Sequence, residues 1–233
     1  MAHRGASNAA PENSLAAFRL AVDQGADILE TDLWFSADHE IICHHDETLQ
    51  RMTGSWARVS DLNARDLSRL ELRGSQPNHP PGVPSLEHLL RIAEPPVVLM
   101  LELKDPRFAE PAGAKRLIDI LGERVQQHTA GVLSSSMTIL RAMRQAAPDL
   151  VTGHISMTNP FGSSEVELLG PYWPLLYLNP RYVSGAHRRG QLVCPLDPNL
   201  HRRIGKYMKL DVDALLTDDP AATRQLVESL RQP

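Results

Sequence analysis

Cysteine is nearly absent: the 233 residues hold two, Cys43 and Cys194. They stand far apart, each flanked by strand-like residues, so a disulfide framework is excluded and both read as small buried apolar side chains. Long apolar runs are missing as well, and nothing in the sequence would span a bilayer, which excludes stable membrane insertion. Met1-Ala2-His3-Arg4-Gly5 lacks the apolar segment that follows the charge in a signal peptide. A cytoplasmic location is expected, provided that no leader lies upstream of Met1. A large excess of either charge is lacking too: a net charge of −4 gives no footing to a nucleic acid and favours small soluble partners. No internal repeat, heptad or low-complexity tract is found.

What is present is an apolar content of 42%, enough for a sizeable core in one domain of the barrel or large α/β kind. Strand-like runs alternate with amphipathic helical ones, the pattern of a parallel α/β sheet or barrel. The first helix is expected from about Pro11, capped by Asn13 or Ser14, with Leu15, Phe18 and Val22 on one face and Gly25 at its end. A strand at 28–33 is followed by a short one at 41–45. Residues 35–84 then read as an inserted subdomain: the stretch with Gly54, Trp56 and the helix-like 61–72, closed by the breaker-rich 74–84, is too long for a plain loop. The next strand, 97–104, is apolar on both faces, as a strand covered outside and packed inside should be. Further strands are expected at 131–134, 151–155, 175–178, 191–194 and 213–216, and helices at 112–127 and 138–147. Asp197-Pro198 and Asp219-Pro220 read as starts of the last two helices. The whole chain, 1–233, is thus one barrel domain. An eighth barrel strand would have to precede His3, where Met1 and Ala2 stand; either the true start lies upstream or a stub closes the barrel.

Chemistry centres on Asp27-Ile28-Leu29-Glu30-Thr31-Asp32-Leu33. Alternation along a strand points Ile28, Glu30 and Asp32 one way and Leu29, Thr31 and Leu33 the other. Carboxylates that close repel each other unless a cation sits between them, and a divalent ion with oxygen ligands is the commonest answer. By the same period Glu102 and Lys104 share a face with Val98 and Met100. His3, Arg4, Glu30, Asp32, His45, Asp46, Glu102 and Lys104 all fall at strand ends or in the loops that follow, the face on which a barrel builds its site. His44 and His45 face opposite ways, so one of them at most serves that mouth. Acids for a cation, bases for phosphoryl oxygens and imidazoles for proton transfer suit a metal-bound phosphate ester.

His3-Arg4-Gly5-Ala6, Pro11-Glu12-Asn13, Gly25-Ala26-Asp27 with Glu30 and Asp32, His45-Asp46 with Leu49 and Arg51, Glu102-Leu103-Lys104 and Thr217-Asp218-Asp219-Pro220 follow in order. That order and spacing resembles the glycerophosphodiester phosphodiesterase family over nearly the whole chain. The resemblance implies a TIM (β/α)8 barrel with a small inserted subdomain after the second strand. It implies metal-dependent hydrolysis of small glycerophosphodiesters to glycerol 3-phosphate and an alcohol. Glu30, Asp32 and Glu102 match the ligands of one divalent cation, Mg2+ or Ca2+; His3 and His45 match the acid/base pair, and Arg4 and Lys104 the phosphate-binding cations. Which histidine is the acid stays open. Asp46 orients His45 or holds its loop, while Glu12 and Asn13 are expected to cap the first helix and brace Arg4.

The chain also departs from the family. Many relatives end the seventh strand in a Trp-bearing wall, but here the run is Leu192-Val193-Cys194-Pro195-Leu196-Asp197-Pro198. Trp34, Phe35, Trp173, Tyr177 and Tyr182 are the candidates for replacement walls. The fourth strand ends in Ser134-Ser135-Ser136-Met137, and His39 stands where a hairpin glycine is usual. Two alternatives stay open. A phospholipase D-like hydrolase of lysophospholipid or sphingolipid head groups would want an apolar rim, which the polar 74–84 segment does not offer. A non-catalytic phosphodiester-binding relative would need no proton shuttle, and retention of both histidines and all three acids speaks against it.

Overall fold

A computed structural model describes residues 1–77, 82–162 and 165–231. The alternation of short apolar runs produces a parallel sheet curled on itself. Its strands are β1 (Ala2–His3), β2 (Ile28–Phe35), β3 (Ile41–Cys43), β4 (Val98–Leu103), β5 (Ala130–Ser134), β6 (Val151–Ser156), β7 (Leu168–Pro171) and β8 (Leu192–Val193). The parallel path runs β1-β2-β4-β5-β6-β7-β8, and β3 pairs antiparallel with β2. Residues 213–217 join the ends of that path. The Asp213 backbone N–H donates to the Val193 carbonyl at 3.0 Å, and the His3 N–H donates to the Thr217 carbonyl at 2.8 Å. Thr217 also bridges Ala2. The first strand, Ala2–His3, is held between β2 and Thr217.

The helices are α1 (Leu15–Asp23), α2 (Gln50–Thr53), α3 (Ala64–Leu67), α4 (Leu86–Leu90), α5 (Pro111–Leu121), α6 (Met137–Ala146), α7 (Leu175–Leu178), α8 (Tyr182–His187), α9 (Leu200–Leu210) and α10 (Pro220–Arg231). Among the described residues no helix is long and apolar enough to cross a membrane. The period of two divides the core into layers, as a barrel covered by helices requires. Leu29, Leu33, Leu99, Leu101 and Leu103 pack outward with Phe18 and Leu117. Met100, Leu133, Leu168 and Cys194 fill the inside, with Met1 and Ile28 against them. A separate cluster of Ile42, Leu49, Val59, Leu67, Leu72 and Val83 belongs to the stretch between β2 and α4. Both cysteines are buried free thiols.

Several local expectations are corrected. Residues 175–178 form helix α7 rather than a strand. The Pro174 backbone is already helical, with φ −62° and ψ −26°, and an apolar run of that length carries no period of its own to say otherwise. The strand is β7, just before it. The stretch 213–216 closes the barrel through single hydrogen bonds and forms no named strand among the described residues. The helix-like 61–72 is reduced to a 3-10 turn at Val59–Asp61 and the short α3. The helix expected to reach 127 stops at Leu121, where Gly122 takes a φ of +54°. Asp219 does start α10, accepting from the Ala222 N–H at 3.0 Å, but α9 starts at Leu200 and the Asp197 carboxylate turns inward to other partners. Within the 74–84 segment, residues 78–81 lie outside the described residues.

Candidate active site

The register of β2 against β4 sets Asp32 beside Glu102, and Glu30 sits one inward-facing position below. Oxygens of Glu30, Asp32 and Glu102 all lie within 4.8 Å of one another. Glu30 and Asp32 are almost fully buried, so their charges have no water to spread into. Burial, then the repulsion of Asp32, pushes the Glu30 carboxyl up to about 8. Asp32 moves the other way: burial opposes its charge, but Lys104 and Arg4 hold it below the usual carboxylate range. Lys104 Nζ lies 2.5 Å from Glu102 Oε1 and 3.2 Å from Asp32 Oδ1, while Arg4 Nε lies 3.2 Å from Asp32 Oδ2. Crowded carboxylates, one of them held back from ionising by burial and by its neighbour's charge, form a donor set that a hard divalent cation fits.

The loop after β1 is folded back onto this cluster. Arg4, Gly5 and Asn13 take φ values of 56°, 84° and 54°, a region open to glycine and tolerated by Asn. That turn aims the Arg4 backbone N–H at Glu30 Oε2, 3.0 Å away. Asn13 does not cap α1; Ser14 does, accepting from the Ala17 N–H at 3.1 Å. The Asn13 carboxamide instead donates to Asp32 Oδ2 at 3.1 Å and accepts from Thr31 Oγ1 at 2.7 Å, strapping the loop to β2. Sequence reasoning missed this role; the signal was a second capping residue directly after it. Glu12 accepts from Arg4 Nη1 at 3.0 Å and from Arg51 Nη2 at 2.7 Å, so it braces Arg4 as expected.

Each of the two histidines has one ring nitrogen fixed by a carboxylate. His3 Nδ1 is hydrogen-bonded to Asp218 Oδ1 at 2.7 Å, and the Ser7 hydroxyl donates to the same oxygen at 3.1 Å. His45 Nδ1 is hydrogen-bonded to Asp46 Oδ1 at 2.7 Å, and Arg51 Nε donates to Asp46 Oδ2 at 2.6 Å. In both rings Nε2 is the atom left for other work. Burial opposes the positive form of His3, yet the Asp218 hydrogen bond and the Glu30 charge raise its pKa overall. Burial likewise opposes ionised Asp46, but Arg51 and His45 bring its carboxyl down to about 2. His44 faces away from the mouth; it is buried, hydrogen-bonded to the Asp46 carbonyl at 2.7 Å, and burial lowers its pKa.

His3, Arg4, His45, Glu102 and Lys104 line one side of a cavity of about 710 Å3, with Glu30 and Asp32 buried behind them. The seven positions picked from the sequence therefore converge. The lining also includes Tyr172 and the segment from Leu196 into the first turn of α9. None of the five aromatic residues expected there takes part. Trp34 donates to the His45 carbonyl at 3.1 Å, Phe35 stacks on Phe108 with centroids 4.5 Å apart, Trp173 lies under the Arg203 guanidinium at 3.8 Å, Tyr177 packs edge-on to Trp173, and Tyr182 is in the core. Tyr172 was missed because the strand was expected too late in the chain, on the far side of the turn that carries it.

Known proteins are similar to this chain along nearly its whole length. Residues 3–222 match the Glycerophosphoryl diester phosphodiesterase family. A glycerophosphodiester phosphodiesterase of Caldanaerobacter subterraneus subsp. tengcongensis is 26% identical over 97% of this chain and 96% of its own length. Bacillus subtilis YhdW, described as a putative glycerophosphodiester phosphodiesterase, is 26% identical over 94% of both chains. The solved structure of an Oleispira antarctica phosphodiesterase in complex with the product sn-glycerol-3-phosphate shares the fold, with a TM-score of 0.86 at 23% identity over 97% of this chain and 95% of that one.

Proposed function

The chain belongs to the glycerophosphoryl diester phosphodiesterase family, and from that membership together with the geometry of the barrel mouth we propose that it hydrolyses glycerophosphodiesters to glycerol 3-phosphate and an alcohol. The observation that carries the reading is the convergence of three carboxylates, with oxygens within 4.8 Å of one another, upon a cavity also lined by two imidazoles and two cations. Glu30, Asp32 and Glu102 would hold one divalent cation, Mg2+ or Ca2+, whose chemistry is to polarise the diester and offset charge building at phosphorus. Arg4 and Lys104 bind the non-bridging phosphoryl oxygens. One imidazole accepts a proton from the attacking hydroxyl or water at its Nε2, and the other returns a proton to the departing alkoxide. Each transfer contributes about 10²–10⁴-fold. Asp218 and Asp46 hold the rings so that little reorientation is left to the reaction itself.

Purified protein assayed on glycerophosphocholine, glycerophosphoethanolamine, glycerophosphoglycerol, lysophosphatidylcholine and bis-p-nitrophenyl phosphate, with Mg2+, Ca2+ or EDTA, tests this. Glycerophosphodiester turnover is expected with metal and its loss in EDTA, and His45→Ala or Glu30→Gln should lower kcat by about 10²-fold or more. Unchanged turnover in EDTA or in either variant would refute the mechanism; turnover of lysophosphatidylcholine alone would favour the phospholipase D-like alternative.

A further inference from the structure

Besides the residues of the acidic cluster, the cavity wall includes Tyr172, Leu196, Asn199, His201 and Arg202. If the glycerol arm of the diester lies at the acids, the other arm extends along this wall. Its charge inventory is uneven. Arg4 is paired with Glu12 and Asp32, and Lys104 with Glu102 and Asp32. Asp197 is taken by Arg203 Nη1 at 2.7 Å and the Tyr207 hydroxyl at 2.5 Å, and Asp218 by His3 and Ser7. Asp219 accepts from the Ala222 N–H at 3.0 Å and from Asn8 Nδ2 at 3.3 Å. Arg202 differs: among the described residues no carboxylate forms an ion pair with it, although it lines the same cavity. Asp219 is held by neutral donors alone, whereas the Arg202 guanidinium has no side-chain partner among the described residues and is left for a ligand.

The apolar chemistry of the wall points the same way. A quaternary ammonium is held by several aromatic faces around it. Here Tyr172 is the single aromatic residue lining the cavity among the described residues. A guanidinium without a partner instead offers a planar fork of donors suited to a phosphate or carboxylate. Asn199 makes no side-chain capping bond to α9, which leaves its carboxamide as a neutral donor beside that fork.

We propose that Arg202 makes this wall selective for an alcohol arm that itself carries an anionic group, phosphate or carboxylate, over a quaternary ammonium or uncharged one. The proposal rests on the hydrolase reading above and names the substrate class of that same site.

Matched substrate pairs test it and separate the two anions. Glycerophosphoserine differs from glycerophosphoethanolamine by one carboxylate, and glycerophosphoinositol 4-phosphate differs from glycerophosphoinositol by one phosphate. With metal present, kcat/KM is expected to be about tenfold higher for the anionic member of at least one pair, the gain of a charge-assisted hydrogen bond, and glycerophosphocholine should be among the poorest substrates. Arg202→Ala should bring the ratio close to one, and Arg202→Lys, which keeps the charge without the fork, should keep only part of it; thermal melts of both variants check that they fold. A preference confined to one pair supports the proposal and assigns the anion. Ratios of one or less in both pairs, or a ratio unchanged by Arg202→Ala, would overturn it while leaving the hydrolase reading intact. Turnover of none of these diesters would overturn the hydrolase reading and this proposal with it.

Discussion

Glu30 is where burial and chemistry conflict most directly. Its carboxyl is driven from 4.5 to about 8 by burial first and the Asp32 charge second. In the unfolded chain it would titrate near its ordinary value, so between those two limits the folded protein binds a proton that the unfolded one has released. Stability therefore falls as pH rises across that window, and the contribution is fully present only below it. A divalent cation held by these carboxylates would remove the conflict by supplying positive charge, and its binding would expel the proton. In EDTA the urea midpoint should drop between about pH 5 and 8, Mg2+ should flatten the curve, and Mg2+ added at pH 7 should release protons measurable with an indicator dye. His3, whose pKa is also raised, loses stabilisation in the same direction, so Glu30→Gln isolates the carboxyl: its profile in EDTA should be flatter than that of the parent. A parent midpoint that climbs with pH through this range would contradict the assignment.

At the level of the element, the loop from β1 into α1 carries more than its length suggests. Gly5 has a φ of +84°, and a Cβ there would come within 2.6 Å of the Ala17 backbone carbonyl carbon on α1. Gly5→Ala combines a left-handed backbone with an overpacked contact, a cost of about 2–4 kcal/mol. Because β1 is two residues long, the strain is passed to His3 and Arg4. A lowered Tm together with at least a tenfold loss of kcat is expected, measured by thermal melts and initial rates; full activity at a lowered Tm would mean that the loop does not position them. This element also marks the limits of legibility. The acid-bearing face of β2 could be read because alternation is a property of the strand alone. The neighbour relation of Asp32 and Glu102 could be expected only once the barrel was assumed, since register is decided between distant segments. Asn13 looked like a cap because the residue type fits one, and its actual strap across β2 depends on a backbone turn that composition does not encode. The short apolar run at α7 was open to either assignment, and choosing a strand there hid Tyr172 from the pocket.

Across the whole molecule, the stretch we read as an insertion, 35–84, has its own apolar cluster and yet is wired to the mouth. Arg51, in α2, donates to Asp46 and to Glu12; Glu12 in turn holds Arg4, which sits against Asp32. His45 and its partner Asp46 follow β3, inside that stretch. If the insertion only decorates the barrel, loosening its core should cost stability and nothing else. If the chain of ion pairs transmits its position, the site should suffer too. Leu67 is fully buried in that cluster, remote from the cavity lining, so Leu67→Ala is a clean probe, costing about 2–5 kcal/mol through the lost methyl contacts and the void left behind. Hydrogen exchange should accelerate for amides of α2 and α3 while those of β4 stay protected, because the two cores are separate. With the network intact in design but mobile in fact, kcat/KM should fall by about tenfold, a coupling of the size carried by packed and ion-paired chains. Arg51→Ala should reproduce the kinetic loss with a far smaller change in Tm, since that side chain is part exposed and its ion pairs are screened by solvent. Faster exchange in the insertion at unchanged kcat/KM, or an inert Arg51→Ala, would show that the barrel holds His45 without its help.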